Sequence, residues 1–136
     1  MFEIKVSGEF SAAHNLRGYK GKCEELHGHN WKVEVALRQE GLDKCGMVLD
    51  FKYLKLKLNK VLEKLDHRYL NNIACFKKIN PVRKKGAKKR KLSNGVNPTS
   101  ENIAKYIYER LSSGVLGLRS VTVWESDDSS ATYYVE

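Results

Sequence analysis

Residues 27–37, HGHNWKVEVAL, place His27, His29, Trp31, Val33, Val35 and Leu37 on one parity and Lys32 and Glu34 on the other. A period of two over that length predicts a strand with one buried face and one wet face. Residues 2–14, FEIKVSGEFSAAH, repeat the pattern, with Phe2, Ile4, Val6, Gly8, Phe10, Ala12 and His14 set against Glu3, Lys5, Ser7 and Glu9. The polar, glycine-bearing segment from Asn15 to Leu26 joins the two as consecutive strands.

Beyond this pair, residues 39–48, QEGLDKCGMV, supply a turn, and Asp50 is placed to cap a helix with a stripe of Phe51, Leu54, Leu58, Val61, Leu62 and Leu65. Residues 97–102, NPTSEN, open a second helix with Ile103, Ala104, Ile107, Tyr108 and Leu111 on its inner face and a stop at Gly114. Val121–Ser126 and Ala131–Val135 then read as a closing hairpin around residues 127–130, DDSS. The order β-β-α-α-β-β predicts an α+β domain: an antiparallel four-stranded sheet with two helices on one face. Four strands cannot close a barrel alone, so the free edges are expected to pair between copies, with sites where subunits meet.

At 136 residues, 41% hydrophobic and 10% aromatic, the chain is long and apolar enough for one cored domain, 1–136, and disorder is excluded. No apolar run approaches the roughly 20 residues that cross a bilayer, and the N-terminus alternates like a strand instead of resembling a leader, so a cytoplasmic protein without a membrane partner is expected. Three cysteines, Cys23, Cys45 and Cys75, at unrelated spacings fit a reducing compartment. The net charge of +9 is carried by residues 77–91, which hold nine Lys or Arg and no acid. With Pro81 and Gly86 and no periodicity, this stretch reads as a basic loop insertion at about residues 76–96, and it is the only part suited to nucleic acid or another polyanion.

The chemistry concentrates at one end of the first strand pair. His14 ends the apolar parity of strand one and His27 and His29 begin that of strand two, so antiparallel pairing puts all three at the same end and on the same face. Residues i and i+2 of a strand are about 6.6 Å apart, a span that two imidazoles can bridge to one ion. Three neutral imidazoles suit zinc, with a fourth position open as in catalytic sites. Cys23, four residues before His27, is either a fourth ligand or a free thiolate beside the metal. Asp66 and His67 follow the first helical stripe as a carboxylate and an imidazole able to move protons, or as a helix-end cap. Glu125 ends the apolar parity of Val121 and Val123 with a carboxylate that can accept a ligand's paired N–H groups or a lysine. Arg17, Lys20 and Lys22 are candidates for phosphate contacts.

Taken together, FSAAHNL (10–16), CEELHGHNWKVEV (23–35), LDFKYLK (49–55), LDHRYLN (65–71), NPTSEN (97–102) and VTVWES (121–126) resemble, in order and spacing, the 6-pyruvoyltetrahydropterin synthase superfamily. The resemblance is closest to its queuosine-pathway branch, the 6-carboxy-5,6,7,8-tetrahydropterin synthases, and is interrupted only by the basic insertion. It implies the tunnelling fold and a homohexamer of two trimers with active sites between subunits. It implies that His14, His27 and His29 hold Zn2+, that Cys23 is the catalytic thiolate, and that Asp66 and His67 assist proton transfer from a neighbouring subunit. Glu125 would anchor the pterin ring, with Thr99 and Glu101 lining its pocket. The implied reaction converts 7,8-dihydroneopterin triphosphate to 6-carboxy-5,6,7,8-tetrahydropterin, acetaldehyde and triphosphate. A pyruvoyl- or hydroxymethylpterin-forming relative on the same substrate is the alternative, since Glu24 and Glu25 stand between the cysteine and the histidines. A more remote one is a non-catalytic zinc module that binds nucleic acid through residues 77–91.

Overall fold

The computed structural model describes residues 1–19, 21–77 and 95–136. Alternation becomes β1 (Phe2–His14) and β2 (His27–Gln39), paired antiparallel over their full lengths from Phe2↔Gln39 to His14↔His27. Their shared apolar parity carries Val6, Phe10, Ala12, Trp31, Val33, Val35 and Leu37 into the core. The other parity stays wet, with Lys5 in reach of Glu3 and Glu34 and with Arg38 on Glu3.

Two helices cover the apolar face. Helix α1 (Phe51–Leu62) is capped as its sequence demands, the Asp50 carboxylate accepting from the Lys52 amide at 2.8 Å. It buries Leu54, Leu58 and Leu62 and runs close to β1, where a Cβ on Gly8 would stand 2.8 Å from Leu62 Cδ1. Phe51, placed on the buried stripe by its spacing, is exposed. Helix α2 (Ser100–Ser112) is capped by Thr99 and buries Ile103, Ala104, Ile107 and Leu111. Tyr106 is more deeply buried than the expected Tyr108, since it packs on Phe76, which enters the core from the segment after α1.

The sheet has five strands, one more than the sequence suggests. Between the helices, β3 (Arg68–Tyr69) pairs parallel to β1 through Ala12 and Ala13. Strand β4 (Leu118–Ser126) pairs with β2, and β5 (Ser129–Tyr134) with β4, giving the order β3-β1-β2-β4-β5. Two residues are too few to show a period, so β3 is invisible to pattern reading. Backbone and carboxylate bonds hold it to the edge: Asp66 Oδ1 accepts from the Ser11 amide at 2.8 Å, and the His67 amide donates to the Ser11 carbonyl at 2.6 Å. Asn71 is buried and bonds both backbone groups of Asn15, through Oδ1 at 3.0 Å and Nδ2 at 2.9 Å. The basic insertion falls, apart from its ends, in residues 78–94, outside the described residues, as does Lys20.

Two outcomes test this account. The Ser11 amide first, and His67 second, hold the Asp66 carboxyl below its ordinary range. A carboxylate with a depressed folded pKa stabilises the fold above its unfolded value near 3.9, and that contribution is lost as pH falls through the folded value. Asp66→Asn is therefore less stable than the parent at pH 7, with the gap in urea midpoints closing in acid. Gly117 adopts φ +77°, accepts from the Arg38 amide at 2.9 Å, and would put a Cβ 2.7 Å from the Arg38 carbonyl. Gly117→Ala costs about 1–2 kcal/mol or more, read by urea unfolding, whereas Gly41→Ala, with no atom within 4 Å of its Cβ, is near neutral.

Candidate metal centre

The β1–β2 register sets His14 directly opposite His27 and Ala12 opposite His29. The three imidazole centroids lie 4.5, 5.1 and 4.8 Å apart. Trp31, wholly buried, forms the floor: its ring meets His14 and His29 edge-on at 4.9 and 5.0 Å, and its indole N–H donates to the Ala12 carbonyl.

Backbone carbonyls decide which nitrogen each ring presents. His14 Nδ1 is 2.8 Å from the Pro98 carbonyl and His27 Nδ1 is 2.7 Å from the Glu25 carbonyl. A carbonyl oxygen only accepts, so each Nδ1 must carry the proton, which leaves the Nε2 lone pair free. This is the outer-shell arrangement that orients metal-binding imidazoles. Nε2 of His14 and of His29 are both buried without a hydrogen-bond partner. Glu125 Oε1 is 3.1 Å from His29 Nε2, without hydrogen-bond geometry. One ligand atom from each of His14, His27, His29 and Glu125 lies within 4.8 Å of the others.

Burial pushes the pKa of His14 down, against the opposing pull of the Pro98 carbonyl. Burial likewise lowers that of His29, against the nearby Glu125 charge. Both rings are therefore kept in the neutral form that a cation requires. Orphaned Nε2 atoms, fixed tautomers and a neighbouring carboxylate fit a bound metal, because unpaired buried polar atoms are otherwise costly. The cluster could hold a divalent cation through these four side chains.

Glu125, next to last in β4, is thus brought against His29 while its Oε2 accepts from Ser100 Oγ at 3.5 Å. Cys23 lies in a short 3-10 turn, Lys22–Glu24, half-buried, its carbonyl accepting from the Leu16 amide. Its thiol stands outside the convergent group. Asp66 and His67 do form a pair, Oδ2 to Nδ1 at 3.0 Å, on a backbone where His67 has φ +56°. The His67 side chain is 83% exposed. It lines an open groove of about 540 Å3 with Ser11, Ala13, Gly28, Asn30 and Tyr69, although Ala12 and His29 also contribute to the wall. Ser11↔Asn30 and Ala13↔Gly28 have the parity opposite to the triad, so within one chain the pair faces away from most of the metal cluster.

Thr99 Oγ1 accepts from the Asn102 amide, and Glu101 is an exposed acid in the first turn of α2. Both support the helix start, and neither joins the convergent group. Arg17 is half-buried, and Nη2 of its guanidinium is taken up by the carbonyls of Phe76, Gly95 and Val96. Lys22 is exposed. Sequence reading missed Asn97 and the Pro98 carbonyl, whose only signal was the NPTSEN run already assigned to a helix start.

The family model described as 6-pyruvoyl tetrahydropterin synthase matches residues 3–136. A Synechocystis protein named 6-carboxy-5,6,7,8-tetrahydropterin synthase is 36% identical over 140 aligned residues, covering 98% of this chain and 94% of the relative. A Pyrococcus furiosus protein named dihydroneopterin monophosphate aldolase is 35% identical over 128 residues, covering 92% and 90%. The solved structure of Caenorhabditis elegans 6-pyruvoyl tetrahydropterin synthase aligns with a TM-score of 0.77 at 31% identity, over 99% of this chain and 96% of that one. With likeness that runs nearly end to end in sequence and in backbone, the chain belongs to the 6-pyruvoyl tetrahydropterin synthase family and has its tunnelling fold.

Proposed function

We propose that this chain is a zinc-dependent carbon–carbon lyase that converts 7,8-dihydroneopterin triphosphate and one water molecule to 6-carboxy-5,6,7,8-tetrahydropterin, acetaldehyde and triphosphate. The observation that carries the reading is the convergence of His14, His27 and His29 beside Glu125, with two of the three tautomers set by backbone carbonyls. The relative of that name at 36% identity supports the choice of product. The reaction belongs to queuosine and 7-deazaguanine biosynthesis in the cytoplasm.

His14, His27 and His29 would hold the ion, His14 and His27 through the Nε2 atoms that their backbone-bonded Nδ1 atoms leave free. A zinc ion held there would supply Lewis acidity toward the hydroxyls of the substrate side chain. Cys23, as thiolate, takes a side-chain proton, and His67 serves as the complementary acid or base. Asp66, 3.0 Å from His67 Nδ1, holds that imidazole in the required state. Glu125 accepts the paired N–H groups of the pterin ring, and Thr99 and Glu101 lie at the helix start beside that pocket. Because Asp66 and His67 face away from the triad of their own chain, they act in a site completed by a neighbouring copy. The free edge of β5 gives the sheet a surface through which copies can continue it. A homohexamer of two trimers satisfies both requirements.

A second reading keeps the metal and the fold but releases a hydroxymethylpterin. Glu24 and Glu25 lie between Cys23 and His27, and the aldolase of Pyrococcus furiosus is similar to this chain at 35% identity. Mass spectrometry of the zinc-loaded protein with dihydroneopterin triphosphate separates the two: carboxytetrahydropterin with acetaldehyde is expected, and a hydroxymethyl or pyruvoyl pterin transfers the chain to another branch. Cys23→Ala is expected to keep stoichiometric zinc and lose at least about 100-fold in turnover, on the scale of general acid–base catalysis. His29→Ala loses the zinc itself, measured by elemental analysis. Full metal in His29→Ala, or full activity in Cys23→Ala, overturns the corresponding role.

A further inference from the structure

Behind the histidines, Arg17 and Asn97 tie two distant parts of the chain together. The Arg17 amide donates to Asn97 Oδ1 at 2.9 Å, and Asn97 Nδ2 donates to the Arg17 carbonyl at 2.8 Å. Arg17 Nη2 reaches the carbonyls of Phe76, Gly95 and Val96 at 2.5, 3.1 and 3.1 Å. A single guanidinium thus joins the ends of the chain on either side of residues 78–94. These are charge-assisted bonds, the stronger class. The Asn97 carbonyl is fixed in turn by the Thr99 amide at 2.8 Å and by Asn102 Nδ2 at 2.9 Å.

The residue held between these anchors is Pro98, whose carbonyl accepts from His14 Nδ1. Two residues on, Ser100 touches Glu125. One short segment therefore contacts two of the four groups in the metal cluster, and its approach is set by Arg17 and Asn97. His14 is 1% exposed, so no water can take over from a displaced Pro98 carbonyl without opening the site. Loss of that acceptor leaves the Nδ1 proton unpaired in a buried place and removes the preference for the tautomer with Nε2 free.

We propose that Arg17 and Asn97 are positioning residues for the metal centre: they fix the Pro98 carbonyl, which in turn holds the His14 imidazole ready for a cation. The inference rests on reading the histidine cluster as a metal site. Coupling of this kind is reciprocal, so metal bound at His14 also steadies the bonds that Arg17 makes.

The test is a titration of the full chain with zinc alone, in competition with a chromophoric chelator. Arg17→Ala and Asn97→Leu are each expected to weaken zinc binding by about tenfold or more, the scale of outer-shell losses. Arg17→Lys, which keeps a charged donor on a long stem, regains most of the loss. A measurement on the unsubstituted protein guards against variants that fold poorly: zinc slows hydrogen exchange of the Arg17 amide, which is bonded to Asn97. Unchanged zinc affinity in both Arg17→Ala and Asn97→Leu, or unchanged exchange at Arg17, overturns the proposal while leaving the metal site intact. Failure of the unsubstituted protein to take zinc overturns the metal reading itself.

Discussion

Everything in the site depends on the register between β1 and β2. Pairing His14 with His27 and Ala12 with His29 brings three imidazoles to one end of one face. A slip of one residue would send a whole strand's apolar set to the wet side, so the register is enforced by the core far from the histidines. Val6, Phe10, Val33, Val35 and Leu37 are all buried, which fixes the face that each strand turns inward and so the face on which the histidines stand. The packing that stabilises the fold is thus the same constraint that places the ligands.

The cluster itself works against stability in the absence of a cation. Two buried Nε2 atoms without partners cost about 1–3 kcal/mol each, on a scale where a whole domain of this kind keeps only about 5–15 kcal/mol. Trp31 and the surrounding core make the penalty tolerable, because they hold the rings in place whether or not the ring nitrogens are satisfied. The same burial that leaves His14 and His29 without partners also keeps them neutral. Desolvation therefore has two consequences with one cause: ring nitrogens that need a partner and rings prepared to accept a cation.

The two long strands, both helices with the caps at Asp50 and Thr99, and the convergence of His14, His27 and His29 were legible because each rests on a local period or a local cap. Strand β3 was not, since Arg68–Tyr69 is held by the side chain of Asp66 and the backbone of Ser11 and not by any pattern of its own. Arg17 was misread for a related reason. A basic residue in a polar loop looks solvent-facing until three carbonyls from residues 76, 95 and 96 are brought against it. The approach of Glu125 to His29 crosses from β4 to β2, a distance in sequence that no spacing rule spans. The Pro98 carbonyl carries no side-chain signal at all. What escaped the sequence was chiefly backbone hydrogen bonding by residues far apart in the chain.

The division of the polar groups between the two parities of β1 bears on how such a site works. Even-numbered positions of β1 lead to the metal cluster, whereas Ser11 and Ala13 lead to the groove where His67 stands. The backbone of Ser11, bonded to Asp66 and His67, lies between the two sets, and only Ala12 and His29 of the metal-side parity reach the groove. Leaving the imidazole exposed at the sheet edge, on a backbone at φ +56° stiffened by two bonds to Ser11, presents it outward in a fixed direction. That fixed, outward presentation rests on hydrogen bonds to Ser11 and not on hydrophobic burial, since Arg68 and Tyr69 of β3 are both exposed.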